Sequence, residues 1–411
     1  MKPKISFSEE QKDWIKRPLL SNIEKILDYR GRTPKKLGLS WSDTGFLALS
    51  ALNVKNGYID FNADANYGDQ ELYDRWMGDN HLHKGQVVFT TEAPMGNVAQ
   101  IPNDDLYILS QRTIAFEVKH DLIREDFLAT LLRSPKIFNE LTSLSSGGTA
   151  KGVSQKSLSN LKVCVPASLE EQSAMGSLFR TLDDLLANYK DNLANYQSLK
   201  ATMLSKMFPK AGQTVPEIRL DGFEGDWEIK ELGKVIKFYS GLTYKPSDVL
   251  SSGTLVLRSS NVREGELIYI DNVFVNPGIV NCENVKLGDI VVVVRNGSRD
   301  LIGKHALIKS EMPNTVIGAF MTGIRCDNPE FINALLDTKM FIYEINRNLG
   351  ATINQITTGN FKKMKFYFPL TDEQQAIGAY FSDLDNLIAA HQDKISQLET
   401  LKKRLLQDMF L

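Results

Sequence analysis

Two long stretches of the sequence carry apolar residues at steps of three and four, the spacing of one side of an α-helix. In the first stretch the apolar positions are 182, 185, 189, 193, 196, 199, 203 and 207. In the second stretch they are 384, 387, 388, 395, 398, 401, 405 and 409. Each stretch predicts a helix of about 39 residues, roughly 58 Å long at 1.5 Å per residue.

A helix start signal precedes each stretch. Ser168 with Glu171, and Thr371 with Gln374, match the capping box, in which two side chains satisfy backbone N–H groups at a helix start. Pro209 marks the end of the first helix, because proline cannot continue the helical hydrogen bonding. A helix of this length with a single apolar stripe needs a packing partner in water. The sequence therefore predicts that the two helices pair with each other.

The two predicted helices are copies of one another. With Glu171 aligned to Glu373, 15 of the 38 positions through Phe208 and Phe410 are identical. Weaker upstream matches pair NVKNG (53–57) with NVREG (261–265) and KGQVVFT (84–90) with LGDIVVVV (287–294). The chain is thus a duplication in which each globular part precedes a long helix. Copies related by a pseudo-two-fold axis run antiparallel, which predicts a globular part at each end of the helix pair.

Short apolar runs predict strands in both globular parts. The first part contains FLALSALNV (46–54), QVVFTTEA (86–93), TIAFEV (113–118) and LKVCVP (161–166). Their counterparts are TLVLRSSNV (254–262), DIVVVVRNG (289–297), MTGIRC (321–326) and MKFYFP (364–369). Helices are predicted near 124–134 and 329–348. The predicted fold class is α+β: two mixed α/β domains and two long helices forming an antiparallel coiled coil, divided as 1–166, 167–209, 210–369 (with a linker) and 370–411.

Composition narrows the class of protein. The chain has 411 residues, too many for one ordinary core, with 42% hydrophobic and 24% charged residues. A formal net charge of −2 argues against coating DNA by bulk charge but allows a local basic surface. The longest apolar run, IVVVV (290–294), is far too short to span a membrane. Without a signal-like N-terminal stretch or metal-type cysteine spacing, we expect a cytoplasmic protein with no membrane partner.

The duplicated motifs resemble a known family. The helix starts PASLEEQSAM (166–175) and PLTDEQQAI (369–377), with GRTPKK (31–36) and GLTYKP (241–246), are similar to specificity subunits of type I restriction–modification enzymes. The resemblance implies two target recognition domains, each reading half of a bipartite double-stranded DNA sequence. It also implies that the helices bind two modification (adenine methyltransferase) subunits, through which restriction subunits join. Gln172, Phe179, Gln374 and Phe381 are the residues predicted to bind these partners.

Motifs for catalysis are incomplete in the sequence. NPG (276–278) and NPE (328–330) lack the second proline of the N-P-P-aromatic motif of an adenine methyltransferase. GSRDLIGKH (297–305) departs from a phosphate-binding loop in its glycine spacing, and His305 replaces the serine or threonine that would bind magnesium. We therefore predict no catalytic residue, no metal site and no cofactor, as expected for a non-catalytic subunit.

Candidate DNA contacts come from local basic and amide residues, which suit phosphates or guanine edges. In the first domain they are Arg30, Arg32, Lys35, Lys36 and Lys151. In the second domain they are Tyr244, Lys245, Arg258, Arg263, Arg295, Asn296, Arg299 and Lys304. For each of them a solvated surface residue is the competing interpretation. For the whole chain the alternatives are a coiled-coil scaffold without a DNA role and a self-contained methyltransferase or nuclease.

Overall fold

The chain folds into two units, and its last helix returns to the first of them. The computed structural model describes residues 14–145, 152–349 and 354–410. Unit 1 comprises Met1–Lys190 with Asp393–Leu411, and unit 2 comprises Asp191–Gln392. Each unit therefore contains half of each long helix. The functional division of the chain that was predicted from sequence stays a prediction.

In the described part of unit 1, eight strands with one short α-helix among them are followed by three short α-helices, a ninth strand and the first long helix. Its strands are β1 (Ile15–Pro18), β2 (Ile23–Asp28), β3 (Phe46–Leu49), β4 (Tyr67–Gly68), β5 (Val87–Thr90), β6 (Val98–Gln100), β7 (Ile108–Leu109), β8 (Thr113–Val118) and β9 (Lys162–Val165). Its helices are α1 (Gln70–Met77), α2 (Glu125–Arg133), α3 (Pro135–Leu144), α4 (Gln155–Asn160) and the start of α5 (Leu169–Lys206).

Unit 2 repeats the last part of this order, in which three short α-helices, a strand and a long helix follow the other strands. Its strands are β10 (Glu228–Glu231), β11 (Lys237–Ser240), β12 (Val249–Leu250), β13 (Thr254–Leu257), β14 (Val262–Arg263), β15 (Glu266–Leu267), β16 (Val273–Val275), β17 (Ile290–Val293), β18 (His305–Leu307), β19 (Thr315–Ile317), β20 (Met321–Arg325) and β21 (Lys365–Phe368). Its helices are α6 (Leu232–Val235), α7 (Pro329–Leu336), α8 (Lys339–Asn348), α9 (Thr358–Lys363) and the start of α10 (Thr371–Met409). Short 3-10 helices span Leu19–Asn22, Pro34–Leu37, Pro246–Asp248, Ser259–Asn261, Pro277–Ile279 and Arg299–Leu301.

Sheet topology shows the duplication more clearly than sequence identity does. Unit 1 has an antiparallel sheet of order β2-β8-β5-β6, and unit 2 has β11-β20-β17-β18. Each unit also has a second sheet, of order β4-β3-β7 in unit 1 and β12-β16-β13-β19 in unit 2. Each second sheet contains one parallel pair, β3 with β7 and β13 with β19. A third pairing joins β1 to β9 and β10 to β21. The α+β fold class and the internal repeat predicted from sequence are confirmed.

An aromatic quartet closes the core where the long helices enter each unit. In unit 1 the quartet is Trp14, Phe127, Phe179 and Phe410, with neighbouring ring centroids 5.8–6.1 Å apart. In unit 2 it is Trp227, Phe331, Phe381 and Phe208, at 5.7–6.2 Å. All eight rings are buried. In each quartet one ring lies in the first three turns of one long helix, and another lies just beyond the end of the other long helix.

The long helices run antiparallel within each unit. In unit 1 Lys402 pairs with Asp183, and Lys190 lies 2.7 Å from Glu399, so positions rise on one helix as they fall on the other. In unit 2 the Lys200 ammonium lies 2.6 Å from the Asp385 carboxylate. This is the repeat-equivalent of the Asp183–Lys402 pair.

None of the helices in the described residues combines the length and the hydropathy that a membrane span requires.

The third member of each interhelical ion cluster differs between units. In unit 1 Arg133 lies 2.5 Å from Asp183, so two cations share one carboxylate. In unit 2 the equivalent residue is Asp337, 2.6 Å from Lys200, so two carboxylates share one ammonium. Burial alone would raise the pKa of Asp337, but the neighbouring His305 and the Lys200 ammonium lower it to about 2.

One core contact has been exchanged between the units as a matched pair of residues. In unit 2 Tyr239 on β11 lies opposite Gly323 on β20, and a Cβ on that glycine would sit 1.9 Å from the tyrosine ring. In unit 1 the same ladder position pairs Leu27 with Ala115. A larger side chain on one strand thus accompanies the loss of a side chain on the next, which keeps the packed volume nearly constant.

The helix predicted near 329–348 is two helices, so this prediction was wrong. The hydroxyl of Thr338 accepts a hydrogen bond from the Phe341 amide at 3.2 Å and starts α8 as a separate helix. The predicted strands are also shorter than expected, although TIAFEV coincides with β8. The strand from Phe46 ends at Leu49, because buried Asn53 accepts from the Ser50 amide at 2.8 Å and turns the chain. α10 already includes Thr371, which is therefore its first residue and not its cap.

We expect Lys200→Met to destabilise the protein more than Lys402→Met. Without Lys200, Asp337 keeps only His305 and Asp385 loses its ion-pair partner beside a second carboxylate, which should cost about 3 kcal/mol at pH 7. Without Lys402, Asp183 keeps Arg133, and the loss should be about 1 kcal/mol. The folded-state pKa of Asp337 lies below its ordinary value of 3.8. The ionised Asp337 carboxylate therefore stabilises the wild-type fold above about pH 4, and this stabilisation is lost as pH falls towards 2. Urea unfolding followed by circular dichroism at pH 7 and pH 3 measures both; equal losses at pH 7 would contradict the prediction.

Candidate nucleic-acid interface

Loops of unit 2 enclose a groove of about 1130 Å³ beside the end of β17. Four of the residues predicted to contact DNA line it: Tyr244, Arg258, Arg295 and Asn296. Leu242, Val249, Val273, Phe320 and Met321 supply apolar walls. The groove therefore combines hydrogen-bond donors with apolar surface, the composition expected of a site that contacts base edges.

Arg295 projects from the rigid end of the central strand. Its backbone N–H donates to the Phe320 carbonyl at 3.1 Å, and its guanidinium carbon lies 5.0 Å from the centroid of the exposed Phe320 ring. Among the described residues, no carboxylate lies within ion-pair distance of this guanidinium. The adjacent Asn296 amide donates to the Ser259 hydroxyl at 3.0 Å, so it fixes the loop.

The remaining predicted residues of unit 2 do not gather at one place. The Arg299 guanidinium donates to the Asn346 carbonyl at 3.3 Å, whereas the guanidinium of Arg258, which does line the groove, donates to the Asp271 carbonyl at 2.5 Å. Three further side chains are exposed outside the groove lining: Lys245, Arg263 and Lys304. All eight were predicted from sequence to contact DNA, but the structure brings together only the four that line the groove.

In unit 1 the predicted arginines are engaged within the protein. Two nitrogens of the Arg30 guanidinium donate to the Asp28 carboxylate at 2.5–2.9 Å, and this hydrogen bonding raises the pKa of Arg30. The guanidinium of Arg32 lies 4.6 Å over the Tyr29 ring and also donates to the Trp76 carbonyl. These arginines therefore shape the loop in addition to presenting charge.

The lysines of the same loop remain available to solvent. Lys35 and Lys36 are exposed, although the Lys36 ammonium donates to the Gly31 carbonyl at 2.7 Å. The Thr33 hydroxyl accepts from the Lys36 amide at 3.2 Å and starts the short helix that carries both. Lys151 lies outside the described residues.

In unit 1 the positions equivalent to Arg295 and Phe320 hold a residue pair that was not predicted from sequence. Glu92 and Arg112 form an ion pair at 3.2 Å, with side chains about half exposed. The amide before Glu92 donates to the Arg112 carbonyl at 2.7 Å, as the amide before Arg295 donates to the Phe320 carbonyl at 3.0 Å. Glu92 and Arg295 also each form an isolated bridge to the segment leading into α4 or α9. Extending the KGQVVFT/LGDIVVVV alignment by two residues would have found the first of these equivalences.

Two residues predicted to bind the partner subunits lie inside the protein. Phe179 and Phe381 are 0% and 1% exposed, because each belongs to an aromatic quartet. A ring with no surface cannot contact another chain, so the structure contradicts a partner-binding role for both. Their identity in the two helix copies reflects core packing.

Gln172 and Gln374 fasten the long helices to their units. Buried Gln172 accepts from the Arg124 amide at 2.9 Å and donates to the Leu122 and Pro166 carbonyls at 3.1 and 3.0 Å. Half-buried Gln374 makes two such bonds, to an asparagine side chain and to a backbone carbonyl. The structure thus assigns both glutamines an internal role and contradicts Gln172 as a surface contact.

Comparison with known proteins identifies the family of this chain. The family model described as "Type I restriction modification DNA specificity domain" matches residues 20–195 and again 224–400, which is most of the chain.

The chain belongs to this family.

Among its relatives, the type I restriction enzyme MjaVIII specificity subunit of Methanocaldococcus jannaschii is 25% identical over 313 residues, covering 73% of this chain and 72% of the relative. The StySPI specificity subunit of Salmonella potsdam is 24% identical over 191 residues, covering 44% of this chain and 41% of the relative. The crystal structure of the type I restriction–modification S subunit from M. genitalium shares the fold. Its TM-score is 0.68 at 16% identity, over 100% of this chain and 99% of that one. As a type I specificity subunit, the chain is a non-catalytic member of its complex.

We expect Gln172→Ala to destabilise this specificity subunit in the absence of any partner. The substitution leaves one partly buried amide, one partly buried carbonyl and one buried carbonyl without their hydrogen bonds to Gln172, which should cost about 2 kcal/mol. Gln374→Ala is the matched control, and it should cost less because Gln374 is half exposed and makes two bonds. Thermal unfolding of the isolated chain measures both effects. If Gln172→Ala left stability unchanged and only weakened complex formation, the internal role would be wrong.

Proposed function

We propose that this specificity subunit reads an asymmetric, bipartite sequence in double-stranded DNA, one block with each unit. The observation that carries the proposal is one fold used twice with different chemistry at the same loops. Unit 2 offers a groove with apolar walls and an arginine that has no carboxylate partner among the described residues, whereas unit 1 offers ion pairs of arginine with aspartate and glutamate. Two copies with identical loops would read the same block twice, so these loops support two different blocks.

The proposal extends to partners and location. The chain positions two adenine methyltransferase subunits, and restriction subunits join through them. The support is that the chain repeats its helices as well as its units, which provides two equivalent docking places. Since the DNA target of a restriction–modification complex lies in the cytoplasm, we propose that the chain acts there.

Two pairs of exposed leucines are the best-supported docking surface for the methyltransferases. Leu185 and Leu387 are equivalent in the repeat and 42% and 41% exposed; Leu199 and Leu401, also equivalent, are 37% and 45% exposed. Within each helix the two leucines are 14 residues apart, close to four whole turns, so they share one side. Solvated leucine is not needed for folding. Its retention in both copies supports a shared apolar contact with two equivalent partners.

The leucines of one unit come from both helices. In unit 1 Leu185 and Leu401 are near neighbours in sequence of the paired Asp183 and Lys402, so they lie at the same level of the helix pair. In unit 2 Leu199 and Leu387 flank the Lys200–Asp385 pair in the same way. Each unit therefore offers one two-leucine surface.

We expect the double variant Leu185→Glu, Leu401→Glu to bind one methyltransferase subunit where the wild type binds two. Charged side chains would have to be desolvated at the contact, which should abolish docking on unit 1 alone. Mass measurement of the complex by light scattering at saturating methyltransferase reports the ratio. The control is Leu370→Glu, since Leu370 is 80% exposed and its equivalent is Ser168. A two-to-one complex in the double variant would contradict this surface.

We expect exchange of residues 1–165 for those of another family member to change one block of the methylated sequence. The other block and the spacer should be unchanged, because they depend on unit 2 and on the helices. The two blocks should lie about 10–10.5 bp apart, centre to centre, so that both face one side of the duplex. Mapping N6-methyladenine in a host that expresses the hybrid with its methyltransferase tests this. A palindromic or continuous target, or a change in both blocks, would refute the proposal.

A further inference from the structure

Equivalent places in the two units carry side-chain pairs of opposite chemistry. Where β5 ends beside the start of β8, unit 1 has the Glu92–Arg112 ion pair at 3.2 Å. Where β17 ends beside the start of β20, unit 2 has the Arg295 guanidinium carbon over the Phe320 ring, 5.0 Å from its centroid. We propose that these are the base-reading pairs of the two units: Arg295 selects a guanine, and Glu92 with Arg112 selects a C·G base pair. The inference rests on the proposed function that each unit reads one block of DNA.

The change of charge at this place argues against contact with the DNA backbone. A phosphate is present at every step of any DNA sequence, so a phosphate-binding position has no reason to differ between the two units. Moreover, a carboxylate such as Glu92 is repelled by phosphate. Two different DNA blocks differ in their bases, so the contacts that must differ between the units are the contacts with bases. A position that holds glutamate in one unit and arginine in the other fits that demand.

Arg295 is prepared for a guanine by its surroundings. The Arg295 guanidinium carbon lies over the Phe320 ring, 5.0 Å from its centroid, and this cation–π contact uses none of the N–H donors along the guanidinium edge. Those donors match the O6 and N7 acceptors that guanine presents side by side in the major groove. Val273 and Met321 line the same groove and give it apolar walls. A wrong base would leave the arginine donors unpaired in that groove, and this penalty is the source of selectivity.

The unit 1 pair offers complementary hydrogen bonding. The Glu92 carboxylate accepts hydrogen bonds, and the cytosine N4 amino group is a donor in the major groove. The Arg112 guanidinium can donate to the guanine opposite. Their mutual ion pair holds both side chains in place while leaving them about half exposed, 46% for Glu92 and 55% for Arg112. One pair can thus read both members of a C·G base pair.

The test compares methylation maps of variants in the assembled complex. The chain is co-expressed with its methyltransferase subunits in a host without other adenine methylation, and N6-methyladenine is mapped. In the block assigned to unit 2 by the exchange of residues 1–165, Arg295→Lys and Arg295→Ala should relax one guanine position. A lost two-pronged contact corresponds to a roughly 5- to 150-fold fall in preference for that base. The unit 1 block should stay unchanged.

Arg295→Lys separates base reading from phosphate binding, because lysine keeps the charge but loses the planar fork. Glu92→Gln should in turn relax one C·G position of the unit 1 block and leave the unit 2 block intact. Lys304→Ala is the control: it removes an exposed cation near the same strand and should weaken methylation evenly, with the recognised sequence unchanged. Thermal midpoints of the variants verify that each is folded.

Three results would overturn the inference. The first is an unchanged recognised sequence in both Arg295 variants, whether methylation falls evenly or not. The second is a wild-type unit 2 block without a guanine. The third is Glu92→Gln leaving the unit 1 block as it was. A wild-type complex that methylates no bipartite sequence would overturn the proposed function as well, which distinguishes the two failures.

Discussion

Burial of the aromatic quartets is the interaction on which the rest of the molecule depends. Each unit reaches a closed core only when rings from both long helices enter it, as Phe179 and Phe410 do in unit 1. Burying such a ring contributes roughly 1.5–3 kcal/mol, so the four rings of a quartet contribute roughly 6–12 kcal/mol before the entropy of ordering the chain is subtracted. The rings bring both long helices into the core of each unit, and the interhelical ion clusters lie along the same helix pair.

The two copies have diverged according to what each position does. Rings of the quartets and the glutamines at the helix starts are identical, since any change there would open a core or strand a buried amide. Where a core position has changed, a neighbour has changed with it: Tyr239 over Gly323 replaces Leu27 beside Ala115. At the loop pairs after the central strands no such constraint acts, and even the sign of the charge differs. The fold thus separates residues that hold the structure from residues free to vary.

Local signals made the helices predictable, whereas the site depended on distant parts of the chain. The apolar stripe and the capping serine placed the start of α5 within one residue, and the serine hydroxyl does accept from the Glu171 amide at 3.1 Å. Identity between the helix copies, however, could not distinguish a buried ring such as Phe179 from an exposed leucine such as Leu185. Exposure is set by tertiary packing, which the repeat alone does not reveal. The groove beside Arg295 likewise needs loops far apart in sequence.

The return of the last helix to unit 1 has a consequence for the order in which the protein matures on the ribosome. The unit 2 quartet is complete once Phe381 has been synthesised. Unit 1 must wait for Phe410, although Trp14, the first ring of its quartet, emerged almost 400 residues earlier. Contacts this distant in sequence close slowly. The half of the chain that is made first is therefore the half that finishes folding last, and during translation its open core is exposed to chaperones and proteases.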